Sequence, residues 1–381
     1  MKVVLVSSSS DAVGVATHVF NLAKLLNEQA MLDVVVCQSN GWLPRKLNQS
    51  GIPFAIVEMH YAPTKFVTSA LSLYRFLRSR PNAKIVHVHG RFPLFVSWLS
   101  SEMCPHLRFV VTVHQFLDAG SQGRLHWKSR LETLLLRRTK WICCPSADLQ
   151  AEIVARVGTE NSHFIDVIPN WIESLGHRKA QHSQRRRTLR ICGVGRLSSE
   201  KGFDLLVQAV GLLNAQGYDV SCDHYGDGPE RTSLLHMIRK MGLQEIVCLR
   251  GTHGNVRSLF PNYDALVIPS RTESFGMVAL EAYDADLLVV ASDVPGLRST
   301  VLDGNTGLLF ESDNSISLAK KLEAVICREV DVATLVANGR NLLRQYLPTP
   351  NLLNRYKSFY ACALHHDGGP AFSCENVGQG R

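Results

Sequence analysis

Long hydrophobic runs are missing from this chain. Its apolar stretches, such as 287–291, stop far short of the roughly 20 residues that span a bilayer, so no transmembrane helix is expected. The first six residues, MKVVLV, lack the apolar region and small-residue cleavage site of a signal peptide and look like a first strand. There is no C-x-x-C among the ten cysteines, and their spacing is irregular. That argues against a zinc ribbon or a disulfide framework; reduced, buried thiols in a cytoplasmic protein are expected, with no zinc site. The G-x-G-x-x-G fingerprint of dinucleotide sites is absent, which disfavours nicotinamide chemistry. No zinc finger, nucleic-acid aromatic motif or repeat is present, so no nucleic-acid partner is expected.

What remains is a chain of 381 residues with 45% hydrophobic and 19% charged residues, enough for a packed core in two or three domains. A net charge of +8 favours anionic partners. Short β-rich apolar runs alternate with helical patterns. The first half has strands at 3–6, 34–37, 85–89, 110–113, 141–144 and 164–168. The second has them at 189–194, 220–225, 246–249, 265–268, 287–291 and 307–310. Near-continuous apolar strands separated by helices predict α/β architecture: two doubly wound parallel sheets. The break at 169–187 holds Pro, Gly and the basic run Arg185–Arg187, and is taken as a linker. The expected domains are therefore 1–168 and 188–348. A late helix over 349–364 and a Gly-rich, disordered tail over 365–381 follow.

The stretch 264–281, DALVIPSRTESFGMVALE, is the most informative. An apolar strand ends at Pro269, a polar loop carries Glu273, and Gly276 opens a helical pattern carrying Glu281. A strand feeding a helix this way puts amides and a carboxylate at the carboxyl edge of a sheet, where α/β proteins bind anions. Residues 193–202, GVGRLSSEKG, place Arg196 and Lys201 just beyond another strand, a planar fork and a mobile charge suited to a pyrophosphate. Tyr225–Glu230, YGDGPE, is a strand-to-helix turn, and Arg250 follows the next strand. The small residues of loop 7–18, Gly14 among them, let backbone amides approach an anion. His114 ends one strand and His87 and His89 another. Singly, each has a plainer reading as a solvated charge, a turn glycine or a structural histidine. The helix around 124–140 carries Arg124, Lys128, Arg130, Arg137, Arg138 and Lys140 between leucines. It fits a solvated face or a contact with anionic headgroups.

The E-S-F-G-x-x-x-x-E pattern has seven residues between Glu273 and Glu281. With G-R-L-x-x-x-K-G at 195–202 and D-G-N-T-G-L-L-F at 303–310, it resembles the signature of family-4 (group 1) glycosyltransferases with the GT-B fold. The resemblance implies two Rossmann-like domains facing a cleft, with the C-terminal helix crossing back to the first. It also implies retaining, metal-independent transfer of a hexosyl group from a nucleotide-diphosphate sugar to a glycan or lipid-linked acceptor, in surface polysaccharide or glycoconjugate synthesis. On family frequency the donor is a UDP-sugar first and GDP-mannose second. The resemblance puts Glu273 on the donor sugar, Glu281 on the ribose, and Arg196, Lys201 and Gly14 on the diphosphate. Arg250 falls by the base and His114 near the anomeric carbon, with Ser274, Phe275 and Gly276 in the donor loop. His89 is an acceptor-side candidate, and Asn170 in I-P-N-W falls at the hinge. No cofactor and no metal are implied, and no D-x-D motif stands at a plausible site. The implied location is cytoplasmic, peripheral to an anionic membrane face. Asp286, Leu288 and Ser299 depart from the family pattern, which usually has Gly, Pro and an acid there. Alternatives are a GT-B epimerase or phosphorylase, or a catalytically silent sugar-nucleotide-binding protein.

Overall fold

A computed structural model describes residues 1–8, 14–59, 65–115, 126–158, 164–176 and 188–365. Of the stretches read from sequence, 9–13, Arg124, the run Arg185–Arg187 and the tail 366–381 lie outside the described residues. The chain divides into two compact units, 1–170 with 348–381, and 171–347.

The first unit is a seven-stranded parallel sheet: β1 (Lys2–Ser7), β2 (Leu32–Cys37), β3 (Phe54–Ile56), β4 (Ala83–His89), β5 (Arg108–Thr112), β6 (Trp141–Cys144) and β7 (Phe164–Val167). Helices α1 (Gly14–Glu28), α2 (Trp42–Gln49), α3 (Phe66–Arg78), α4 (Arg91–Met103), α5 (His126–Arg138) and α6 (Ala147–Val157) connect the strands. The order β3-β2-β1-β4-β5-β6-β7 reverses between β1 and β4, a topological switch point. Val4, Val6, Val34, Val36, Val86 and Val88 are buried, as strands covered on both faces require. The edge strand β3 has three residues, too few to show a period, and was not legible in the sequence.

The second unit holds β8 (Leu189–Val194), β9 (Val220–Tyr225), β10 (Val247–Gly251), β11 (Ala265–Ile268), β12 (Leu288–Ser292) and β13 (Leu308–Phe310). Its helices are α7 (Phe203–Ala215), α8 (Arg231–Lys240), α9 (Met277–Asp284), α10 (Ser315–Ile326) and α11 (Val332–Leu343). The parallel order is β10-β9-β8-β11-β12-β13, and the switch falls between β8 and β11. Asn314 and Asp331 cap α10 and α11 by accepting from Ser317 N and Thr334 N. Asp286 stands at φ 55°, the left-handed conformation that favours the glycine usual there. Its carboxylate pairs with Arg340.

The last helix, α12 (Pro350–His365), belongs to the first unit and lies on β4 and β5. Tyr356, Phe359 and Tyr360 are fully buried there, and the Tyr360 hydroxyl lies 2.8 Å from His87 Nδ1. Among the described residues no helix is long and apolar enough to cross a membrane. The nine described cysteines are free thiols, but burial does not hold for all: Cys327 is exposed, and Cys248 and Cys362 are half-buried. Burial pushes the Cys37 and Cys143 thiols up to about 12.

Candidate functional site

In the second unit the two motifs at 193–202 and 264–281 meet. Each follows the carboxyl end of one of the strands flanking the switch point, β8 and β11, which pair in parallel. Lys201 Nζ donates to Glu273 Oε2 at 2.6 Å, both side chains half-buried. The close approach depends on Gly202, at φ 64°, where a Cβ would lie 2.0 Å from the Pro269 carbonyl oxygen. Arg271, which the sequence reading passed over, ties the same two loops. Its guanidinium donates to both Asp204 oxygens at 2.9 and 2.7 Å, to Asp313 at 2.6 Å and to the Ser199 carbonyl at 2.7 Å. These acceptors raise its pKa further, the Asp204 hydrogen bonds most.

Arg196 is exposed, and no described residue accepts a hydrogen bond from its guanidinium. The loop carrying Glu273 continues through Ser274, which is buried, to Phe275. Phe275 is turned into the core against Tyr346, ring centres 5.5 Å apart, so its side chain anchors the loop. Gly276 precedes α9 at φ 76°, where a Cβ would fall 2.4 Å from Leu297. Glu281 sits half-buried on α9, and desolvation raises its pKa against the opposing pull of Arg257. Arg257 instead pairs with Asp284 at 2.7 Å, which leaves Glu281 without a salt bridge among the described residues. Arg250 is held by Asp223 at 2.7 Å, and Tyr263 donates to the other Asp223 oxygen at 2.7 Å.

In the first unit Gly14 starts α1, the helix that follows β1, is exposed, and has no atom within 4 Å of where a Cβ would stand. His114 follows β5, half-buried, with its Nε2 at 3.1 Å from His89 Nδ1. His18 on α1, not singled out in the sequence, joins them: its ring centre is 4.9 Å from that of His114 and 5.4 Å from that of His89. Burial lowers the pKa of all three, that of His18 to about 4, where the side chain of Asn170 opposes the shift. Asn170 is itself buried in this unit. His87 is fixed by Tyr360 and by Thr112, 2.6 Å from its Nε2, and stacks on His89 at 4.2 Å. On α5, Arg130, Leu131, Leu134, Arg137 and Arg138 are exposed. Arg137 donates to the Arg156 carbonyl, and Arg138 lies 5.6 Å from the Trp98 ring centre.

The arrangement gathers cations, a carboxylate and helix starts at one sheet's switch point, as an anionic, hydroxyl-rich ligand would require. Comparison with known proteins agrees. Residues 177–342 match the family described as glycosyl transferases group 1, and 13–174 match glycosyltransferase family 4. The chain is 28% identical over 322 residues to the phosphatidylinositol N-acetylglucosaminyltransferase GPI3 subunit of Saccharomyces cerevisiae, covering 80% of this chain and 70% of that one. It is 32% identical over 135 residues to the alpha-D-kanosaminyltransferase of Streptomyces kanamyceticus, 35% of each chain. Its fold is similar to that of Anabaena HepE, solved with UDP and glucose, at a TM-score of 0.81 and 19% identity over 95% of this chain and 99% of that one. With both units matched, one by each family model, the chain belongs to the group 1, family-4 glycosyltransferases of GT-B fold.

Proposed function

We propose that this glycosyltransferase moves a hexosyl group, with retention, from a nucleotide-diphosphate sugar to a glycan or lipid-linked acceptor, without a metal. The observation that carries the reading is the Lys201–Glu273 pair at the β8–β11 switch point. A diphosphate is a natural partner for Lys201 and for the exposed Arg196, which together stabilise charge as it develops on the leaving group. Engaging Lys201 releases the Glu273 carboxylate to accept from donor-sugar hydroxyls, a positioning role. Glu281 takes the ribose hydroxyls and Arg250 lies by the base, while Ser274 and Gly276 offer backbone to the donor and Gly14 to its phosphate. His114 contacts the sugar near its anomeric carbon. The departing phosphate oxygen accepts the acceptor's proton on the same face, so no protein nucleophile is needed.

A UDP-sugar is the first donor to try, supported by the UDP complex of HepE, and GDP-mannose the second. A lipid-linked acceptor is supported by the likeness to the yeast phosphatidylinositol N-acetylglucosaminyltransferase subunit, and a membrane face by the exposed arginines and leucines of α5. The test is a thermal-shift screen of UDP, GDP, ADP and their sugars, followed by NMR of the product anomer. A donor-specific shift, lost in Glu281→Ala, with the donor's anomeric configuration kept in the product, is expected. An inverted product would overturn retention. A changed free sugar nucleotide, or dependence on inorganic phosphate, would indicate an epimerase or phosphorylase instead.

A further inference from the structure

Three histidines that are far apart in the sequence converge in the first unit: His18 from α1, His89 from the end of β4 and His114 from just beyond β5. One nitrogen from each lies within 4.8 Å of the others. We propose that His18, His89 and His114 form a three-histidine site for a borderline divalent transition ion, zinc by its chemistry, with a fourth position open to water or an anion.

The spacing fits. A tetrahedral ion with Zn–N of about 2.0–2.1 Å sets its ligand nitrogens about 3.4 Å apart and the imidazole centres about 5.2 Å apart. Here His89 Nδ1 and His114 Nε2 are 3.1 Å apart, and the three ring-centre separations are 4.9, 5.4 and 5.4 Å. The nitrogens lie within 4.8 Å of one another, so side-chain rotation must close the wider separations by up to about 1.4 Å to reach tetrahedral spacing. The donor set is all imidazole, which suits zinc, copper and nickel and not magnesium or calcium.

The surroundings fix the ligands. His87 stacks on His89 and is itself held at both nitrogens by Tyr360 and Thr112. Asn170 engages His18. Such outer contacts orient ligating rings. Half-exposed His114 leaves the site an open side.

The proposed transfer takes its charge stabilisation from Arg196 and Lys201 and does not require this ion. Resting on the reading that His114 contacts the donor sugar, zinc at this site acts as an inhibitor.

The experiment is equilibrium dialysis of the chelator-stripped full chain against zinc or magnesium, with metal content measured. Cobalt absorption on the same protein reports geometry. One equivalent of zinc and none of magnesium is expected, with tetrahedral cobalt bands and no thiolate charge-transfer band. Affinity should drop about 100-fold or more in His89→Gln and in the half-exposed His114→Gln, more than an outer-shell loss costs. His236→Gln and Cys327→Ser should bind as the parent does. Circular dichroism certifies each variant as folded, and the half-exposed His114 variant carries the test if the buried one unfolds. No stoichiometric zinc, binding unchanged by either histidine variant, or a thiolate band would overturn the site. Binding is read without any donor. Transfer is assayed on the chelator-stripped protein: a protein that binds one zinc but transfers nothing when stripped supports the site and refutes transfer, and an active protein that binds none refutes the site alone.

Discussion

Lys201 and Glu273, 72 positions apart, form one ion pair of 2.6 Å. Parallel pairing of β8 and β11 sets their loops side by side, and the missing side chain of Gly202 lets the loops close up. A diphosphate that takes Lys201 frees Glu273, so the pair couples donor binding to sugar positioning in the proposed reaction.

Glu273→Ala should therefore keep nucleotide binding and lose transfer. A fall in kcat of about 100- to 1000-fold is expected, the range for removing one well-placed polar group. The dissociation constant for the free nucleoside diphosphate, measured by calorimetry, should change little. Full activity in this variant would refute the role.

The Arg196 side chain is exposed and makes no hydrogen bond to a described residue, so its removal should leave folding intact. Arg196→Ala is expected to change unfolding free energy by no more than about 0.5 kcal/mol. It should weaken binding of a nucleoside diphosphate and spare that of the bare nucleoside. Urea titration and calorimetry separate the two effects.

Gly202→Ala should act in the opposite way, through the fold. The left-handed φ and a Cβ 2.0 Å from a backbone oxygen leave it no unstrained place. A loss of about 2 kcal/mol or more is expected, from strain and overpacking together. An unchanged urea midpoint would show that the two loops do not meet as described.

Acid should unfold this protein early. His18 and His224 are buried, and desolvation lowers each to about 4 from an ordinary 6.5. Between these values the unfolded chain binds protons that the folded chain refuses, so stability falls as pH falls from 6.5 towards 4. The loss is about 3 kcal/mol for each. Glu132 opposes this: burial raises it to about 7 despite Arg91, so its contribution is lost as pH rises from 4.5 to 7. His87, His89 and His114 act with His18, so the histidines prevail. Urea midpoints at pH 7.5, 6 and 5 check the sign, and a midpoint that rises on acidification would contradict it.

The exposed face of α5 sets Leu131 and Leu134 among Arg130, Arg137 and Arg138. Vesicles with anionic lipid should retain the protein at low salt and release it as salt rises. Leu134→Glu should weaken retention without altering donor binding. Failure of anionic vesicles to retain the parent would remove the membrane from the proposal.

Much of this was legible in the chain itself. Strand runs such as VVLV and ALVI are apolar without alternation, and only a sheet covered on both faces asks for that. Arg196, Lys201 and Glu273 stood out because they follow such strands, and Glu281 because it shares the E-S-F-G-x-x-x-x-E pattern with Glu273. Other features left no local mark. The edge strand β3 has three residues. Arg271 looked like one more loop cation, although it holds Asp204 and Asp313 together. Phe275 read as part of the donor loop, and its side chain turned into the core.

The sequence by itself determined that the chain makes two doubly wound sheets, and where each strand hands over to a polar loop, because burial and turn chemistry are written in nearest neighbours. Only the tertiary structure decided which loops share a switch point. Lys201 reaches Glu273 because β8 lies beside β11. His18, His89 and His114 meet because β4 and β5 are neighbours and the start of α1 sets the His18 ring against those that follow them. Strand order is a property of the whole sheet, set by long-range pairing, and no local spacing encodes it.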